Sequence, residues 1–121
     1  MVIDCDSHVL EPANLWREYL EPEYRDRAIR VEALPDGGEQ LVIAEQTVLP
    51  GGLAGLGGVE HDRAKLFTSG LKYADGCPDA SFDPDARLAL LDQWGVSGCV
   101  TFPTIGILPY MLAAIGVIII S

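Results

Sequence analysis

Basic residues and cysteines are both scarce in this chain of 121 residues. Eight Lys and Arg stand against eighteen Asp and Glu, which gives a formal net charge of −10 at pH 7. A chain this acidic repels phosphate backbones, so we expect no nucleic-acid partner. The three cysteines form no Cys-x-x-Cys pair, which argues against a disulfide framework and against a thiolate zinc site. We expect reduced, buried thiols at Cys5, Cys77 and Cys99.

The N-terminus also lacks the basic region of a secretory signal, because it becomes acidic at Asp4 and Asp6. A cytoplasmic location is therefore expected. Apolar residues make up 49% of the chain and charged residues 21%, a composition typical of one globular domain.

Charge is missing altogether from the C-terminal quarter, because residues 93–121 contain no Asp, Glu, Lys or Arg. The uncharged apolar tail at 104–121 falls within the length of a membrane span, about 17–25 residues. Pro109 weakens a helix there, and no basic residue flanks the run to set its orientation. Three interpretations stay open: core sequence of a fold that is cut short, out-of-frame sequence, or a tail anchor on a small domain.

Residues 2–9 alternate in a way that predicts a first β-strand. One face would carry Ile3, Cys5, Ser7 and Val9, and the other Val2, Asp4, Asp6 and His8. A polar face of this kind is costly in a core unless its members are paired or bind something.

The middle of the chain predicts a short helix and a hairpin. A helix is expected over residues 12–20, with a buried stripe that consists of Leu15, Trp16, Tyr19 and Leu20. Two strands, at 29–34 and 41–49, flank the turn sequence Pro35-Asp36-Gly37-Gly38 and predict a β-hairpin. A flexible glycine-rich loop follows at 50–58, and then irregular structure over 59–81 with a helical turn near 62–67.

A helix–strand unit is predicted over residues 83–103. Asp83 is a suitable N-cap, Pro84 suits the first helical position, and Gly95 suits the C-cap. The expected buried side of this helix consists of Leu88, Leu90, Leu91 and Trp94. A β-rich run at 99–102 follows after a short loop, so the segment reads as the second half of a βαβ unit.

The best candidate for chemistry is Asp6-Ser7-His8. Residues two apart on a strand project to the same side with Cα atoms about 6.5–7 Å apart. A carboxylate and an imidazole placed in this way can both reach one metal ion. The spacing alone leaves a second interpretation open, in which Asp6 and His8 are a solvated or capping pair.

Two blocks of sequence resemble the amidohydrolase-related family, which contains aminocarboxymuconate-semialdehyde decarboxylase and the resorcylate-type decarboxylases. The first block is Ile3-Asp4-Cys5-Asp6-Ser7-His8, followed by Glu11-Pro12 and Leu15-Trp16. The second block runs from Phe82-Asp83-Pro84-Asp85-Ala86-Arg87-Leu88 through Gly95-Val96 to Phe102-Pro103. Together the two blocks span roughly residues 2–103.

The resemblance implies an α/β fold, the N-terminal part of a metal-dependent (β/α)8 barrel with a small antiparallel hairpin insertion after strand 1. A complete barrel of this kind needs about 250 residues, so residues 1–121 would form a partial barrel. The family's strand-one metal ligands, commonly His-x-His, fall on Asp6 and His8. Asp4 lies on the same predicted face of the strand and is a candidate to orient His8 or a neighbour, with a plain strand-start carboxylate as the alternative. His61 matches no ligand position and is expected to be a solvated loop residue.

The implied cofactor is a divalent metal. Zinc is the first expectation, with manganese or magnesium as alternatives because the Asp6 carboxylate is a hard oxygen ligand. The implied activity is hydrolysis or non-oxidative decarboxylation of a small carboxylated or amide substrate. The catalytic residues are expected beyond residue 121, and the full-length parent protein is expected to be a homo-oligomer. A small non-catalytic domain with a C-terminal membrane anchor is the alternative from another class.

Overall fold

The computed structural model describes residues 1–67 and 70–109, which form two compact units. The parallel unit consists of residues 1–11 together with the described residues from 79 onward, and the antiparallel unit consists of residues 12–78.

In the parallel unit, β1 (Ile3–Val9) pairs in parallel with β5 (Gly98–Pro103). Helix α2 (Pro84–Trp94) precedes β5, so the predicted strand and helix–strand segment form a βαβ arrangement. The register shifts between Asp4 and Ser7, where two residues of β1 lie opposite Val100 alone. This β-bulge interrupts the alternation that the sequence predicted for the first strand.

Helix α2 begins and ends at the predicted residues. The Asp83 side chain accepts a hydrogen bond from the Ala86 backbone N–H at 2.8 Å, and Pro84 occupies the first turn. Gly95 ends the helix in a left-handed conformation with φ of 68°. Both caps are therefore confirmed.

The predicted buried side of α2 is wrong for two of its residues. Leu91 is buried, but Leu88 and Trp94 are 60% and 65% exposed. A helix buries only those side chains that another element covers, and the described part of this sheet has just two strands.

The antiparallel unit contains three consecutive strands, β2 (Arg30–Ala33), β3 (Glu39–Ile43) and β4 (Gln46–Leu49). The predicted turn is confirmed, because the Leu34 N–H donates to the Gly38 carbonyl at 2.8 Å and Gly37 has a φ of 87°. The second predicted strand is wrong as a single strand, since it divides at the turn formed by Ala44 and Glu45. Ala44 has a φ of 52° there. This is the left-handed region, which alanine rarely adopts, so the sequence does not predict a turn at this residue.

Short helical turns complete the antiparallel unit. Helix α1 (Leu15–Tyr19) is shorter than predicted, and Tyr19 is exposed rather than part of a buried stripe. The glycine-rich segment, expected as a flexible loop, contains a 3₁₀ turn (Leu53–Gly57) whose Leu53 and Ala54 are buried. Turns also form within 62–67, as predicted, and over Tyr73–Gly76.

The three cysteines are free, as predicted, but they are not all buried. Cys5 is exposed, and Cys77 and Cys99 are half-buried. Partial burial raises the pKa of the Cys77 thiol, because removal of water disfavours the thiolate.

Within residues 1–67 and 70–109, no helix has the length and apolar character that crossing a membrane would require. The predictions for the uncharged tail concern residues 104–121, and of these 110–121 lie outside the described residues.

Candidate metal site

Asp6 and His8 lie near the C-terminal end of β1, with Asp6 Oδ1 and His8 Nε2 3.7 Å apart. Both side chains are accessible, at 93% and 48% exposure. Two donors that each lie about 2.0–2.2 Å from a metal are separated by about 3.0–3.6 Å in tetrahedral or octahedral geometry. The observed separation therefore fits a shared metal ion after a small side-chain adjustment. It is too long for a hydrogen bond between the two groups.

The other imidazole nitrogen of His8 faces a hydroxyl group. Thr104 Oγ1 lies 3.4 Å from His8 Nδ1, directly after the end of β5. The Phe102 ring flanks the imidazole, with ring centroids 6.0 Å apart. If Nδ1 donates its proton to Thr104, the lone pair of Nε2 is left free on the side of Asp6. This is the arrangement that metal-binding histidines commonly use.

Asp4 acts on the backbone rather than on the imidazole. Its Oδ1 accepts a hydrogen bond from the Asp6 N–H at 3.0 Å, inside the segment where the register of β1 shifts. The carboxylate thus satisfies a backbone group that the bulge removes from regular pairing. The Asp4 carboxylate therefore bonds to the backbone of Asp6, and its predicted role in orienting a metal ligand stays a prediction.

Arg87, on the first turns of α2, holds the backbone of β1. Its Nη1 donates to Ser7 Oγ at 2.7 Å, its Nη2 to the His8 carbonyl at 2.5 Å, and its Nε to the Ala80 carbonyl at 2.9 Å. This role of Arg87 was not predicted from the sequence. A signal for it exists, because Arg87 is the one basic residue after Lys72 in the whole sequence.

Glu11 supplies a second link between β1 and the segment after β5. Its side chain is buried, and its two carboxylate oxygens accept from the Ile105 N–H at 3.0 Å and the Gly106 N–H at 2.9 Å. Charge-assisted bonds of this kind are among the stronger hydrogen bonds in proteins. Glu11 therefore fixes the turn that begins beside Thr104, a role that its place in the sequence motif did not reveal.

No group of three His, Cys, Asp or Glu residues arranged to hold a metal occurs within the described residues. The structure thus brings together two candidate donors, Asp6 and His8, without a third. The other histidine, His61, belongs to the antiparallel unit. It is half-buried, and its Nε2 is enclosed without a hydrogen-bond partner in the described part of the chain, so the expectation of a solvated residue is wrong.

Comparison of the sequence with family models and with curated proteins gave no match.

Proposed function

We propose that this chain is the N-terminal portion of a cytoplasmic, metal-dependent enzyme of the amidohydrolase type, in which Asp6 and His8 bind the metal. The enzyme would hydrolyse or decarboxylate a small substrate that carries a carboxylate or an amide. Zinc is the expected metal, with manganese or magnesium as alternatives because one donor is a carboxylate.

One observation carries the proposal. The separation of 3.7 Å between Asp6 Oδ1 and His8 Nε2 places two donors around one position, while Thr104 faces the opposite nitrogen of the ring. The pair lies toward the C-terminal ends of two parallel strands, which is where α/β enzymes place their reacting groups.

The chemistry of such a site divides between the metal and the chain. A bound metal would polarise a carboxylate or carbonyl oxygen and lower the pKa of bound water. The residues of this chain would orient the donors: Thr104 leaves the Nε2 lone pair free if it accepts a hydrogen bond from Nδ1, Arg87 donates to the His8 carbonyl, and Asp4 accepts from the Asp6 N–H. Further ligands are needed for tight binding, since catalytic zinc sites use three protein ligands.

Mn²⁺ titration followed by proton NMR tests the metal site directly, because the chain has two histidines that serve as internal references for each other. Low Mn²⁺ should broaden the imidazole Cε1–H signal of His8 before that of His61, since paramagnetic broadening falls steeply with distance. The variant His61→Ala assigns the two signals.

Asp6→Asn should reduce the broadening of the His8 signal, and Asp6→His should retain it, because histidine restores a donor two residues away. Asp36→Asn, which changes the charge equally in the exposed turn between β2 and β3, serves as the control. Equal broadening of both histidines, or no difference between Asp6→Asn and Asp36→Asn, would remove Asp6 and His8 from a metal site.

The isolated 121-residue chain should show no measurable metal-dependent turnover. Two ligands on an open site neither fix a metal nor exclude water from the reaction. Robust activity of the purified chain against small amide or carboxylate substrates, abolished by a chelator, would contradict this expectation.

A further inference from the structure

A cleft in the antiparallel unit has a charged lining and shares no residue with the candidate metal site. Its volume is about 540 Å³, within the usual range of small-molecule sites. Segments before and within the three-stranded sheet form it, and its charged lining consists of Arg17, Arg25, Asp26, Arg30, Glu32 and Glu45.

The strand side of the cleft is cross-linked by hydrogen bonds and carries one more carboxylate than guanidinium group. Arg30 has a largely buried side chain that donates to Glu32 Oε1 at 2.6 Å and to the Ala44 carbonyl at 2.7 Å. Hydrogen bonds from Arg30 and from Gln40 lower the pKa of Glu32, so this carboxylate is ionised and neutralises Arg30. Glu45, which is 88% exposed and 3.8 Å from Arg30 Nη2, adds a second carboxylate.

The helical side of the cleft carries excess positive charge. Arg25, in a 3₁₀ helix (Pro22–Arg27), donates its Nε–H to the Leu20 carbonyl at 2.9 Å, and its two terminal nitrogens bond to no described residue. Arg17, on α1, has no hydrogen bond or ion pair with any described residue, and neither does the Asp26 carboxylate. Two cations therefore face one carboxylate on this side.

We propose that this cleft binds a small zwitterion of the amino-acid type, with its carboxylate at Arg17 and Arg25 and its ammonium group at Glu45. Guanidinium groups match the planar geometry of a carboxylate and bind it through paired hydrogen bonds. A dianion such as phosphate is a poorer match, because Asp26 and Glu45 repel it. The proposal does not depend on metal binding by Asp6 and His8.

Three matched probes test the proposal on the full chain by ¹H–¹⁵N NMR, with the arginine Nε–H signals as reporters. L-norvaline carries both charged groups, pentanoate lacks the ammonium group, and butylamine lacks the carboxylate. L-norvaline should give a saturable shift, and each half-probe should bind at least about tenfold more weakly.

Substitutions should separate the two ends of the ligand. Arg17→Gln should weaken L-norvaline and pentanoate but not butylamine, whereas Glu45→Gln should weaken L-norvaline and butylamine but not pentanoate. Arg63→Gln and Glu60→Gln, which change exposed residues outside the cleft, should leave all three affinities unchanged.

Three results would overturn the proposal. They are no saturable shift with L-norvaline, pentanoate binding as tightly as L-norvaline, and an equal loss of affinity in Arg17→Gln and Arg63→Gln.

Discussion

The antiparallel and parallel units differ in how far each covers its own apolar residues. Eight of the eleven buried apolar residues in the described chain belong to the antiparallel unit, among them Leu41, Leu53 and Tyr73. The parallel unit contributes Leu10, Leu91 and Ile105 to the buried set.

Exposed apolar side chains, in contrast, are concentrated in the parallel unit. Of the thirteen large apolar residues that are exposed in the described part of the chain, nine lie in the parallel unit, including Leu88, Trp94 and Phe102. Parallel sheets in proteins are normally covered on both faces. Among the described residues, the antiparallel unit therefore has the larger apolar core, whereas Arg87 and Glu11 provide polar links between elements of the parallel unit.

Truncation of one leucine in each unit should give the largest difference. Leu41→Ala, at a fully buried position of β3, should lower the free energy of unfolding by about 2–5 kcal/mol. Leu88→Ala, at an exposed position of α2, should change it by less than about 0.5 kcal/mol. Urea denaturation followed by circular dichroism measures both. Equal losses of stability would mean that Leu88 is as fully covered as Leu41, and would contradict the difference in burial between the two units.

Removal of the Arg87 links should have the next largest effect. Arg87→Gln should destabilise the parallel unit by about 1.5–3 kcal/mol, because the hydrogen bonds to Ser7 Oγ and the His8 carbonyl are charge-assisted. Hydrogen exchange of the β1 amides should accelerate accordingly, while exchange in β3 stays unchanged. Arg63→Gln is the control, and comparable acceleration in that variant would show a general charge effect.

Loss of the N-cap of α2 should cost less. Asp83→Ala should reduce stability by about 1 kcal/mol, because the Ala86 N–H loses its acceptor. Asp92→Ala, at the exposed C-terminal end of the same helix, removes an equal charge without a cap and should be neutral or slightly stabilising. Amide exchange in the first turn of α2 distinguishes the two variants. If they behave alike, Asp83 contributes only charge.

The smallest expected effect is a pH dependence in the antiparallel unit. Glu32 has a lowered pKa when folded, so its contribution is complete above the unfolded value of about 4.3 and is lost as pH falls through the folded pKa. Glu32→Gln should therefore weaken the fall of the urea midpoint of the antiparallel unit as the pH is lowered. Glu60→Gln, which changes an exposed loop residue, should leave this pH dependence unchanged, and an equal weakening there would exclude a specific role for Glu32.

Local signals in the sequence predicted the parts of the fold that local chemistry determines. Asp83 and Gly95 bound α2 because a side-chain acceptor and a left-handed glycine satisfy the helix ends. The turn at Pro35-Asp36-Gly37-Gly38 was predicted for the same reason. The turn at Ala44 was missed because its residues carry no turn preference.

The candidate site was predicted only in part, because its supporting contacts join distant segments. Asp6 and His8 are two residues apart, and side chains at that spacing on a strand project to the same side, so their proximity could be predicted from the sequence. Arg87 bonds to Ser7, 80 residues away in the sequence, and Glu11 bonds to Ile105, 94 residues away. Sequence spacing does not predict contacts at such separations. Exposure of Leu88 and Trp94 was likewise beyond prediction, since helical periodicity identifies an apolar face but not what covers it.

The long separation between β1 and β5 also sets an order of events during synthesis. Val2 and Ser97, at the start of this pairing, are 95 residues apart, whereas Arg30 and the Ala44 carbonyl are 14 apart. As the chain leaves the ribosome, the antiparallel strands can meet long before β5 has been translated, and short loops close at lower entropic cost. Among the described strands, the one that carries Asp6 and His8 is therefore the first to be synthesised and the last to meet its hydrogen-bonding partner, and until β5 arrives its edge is unpaired with that strand.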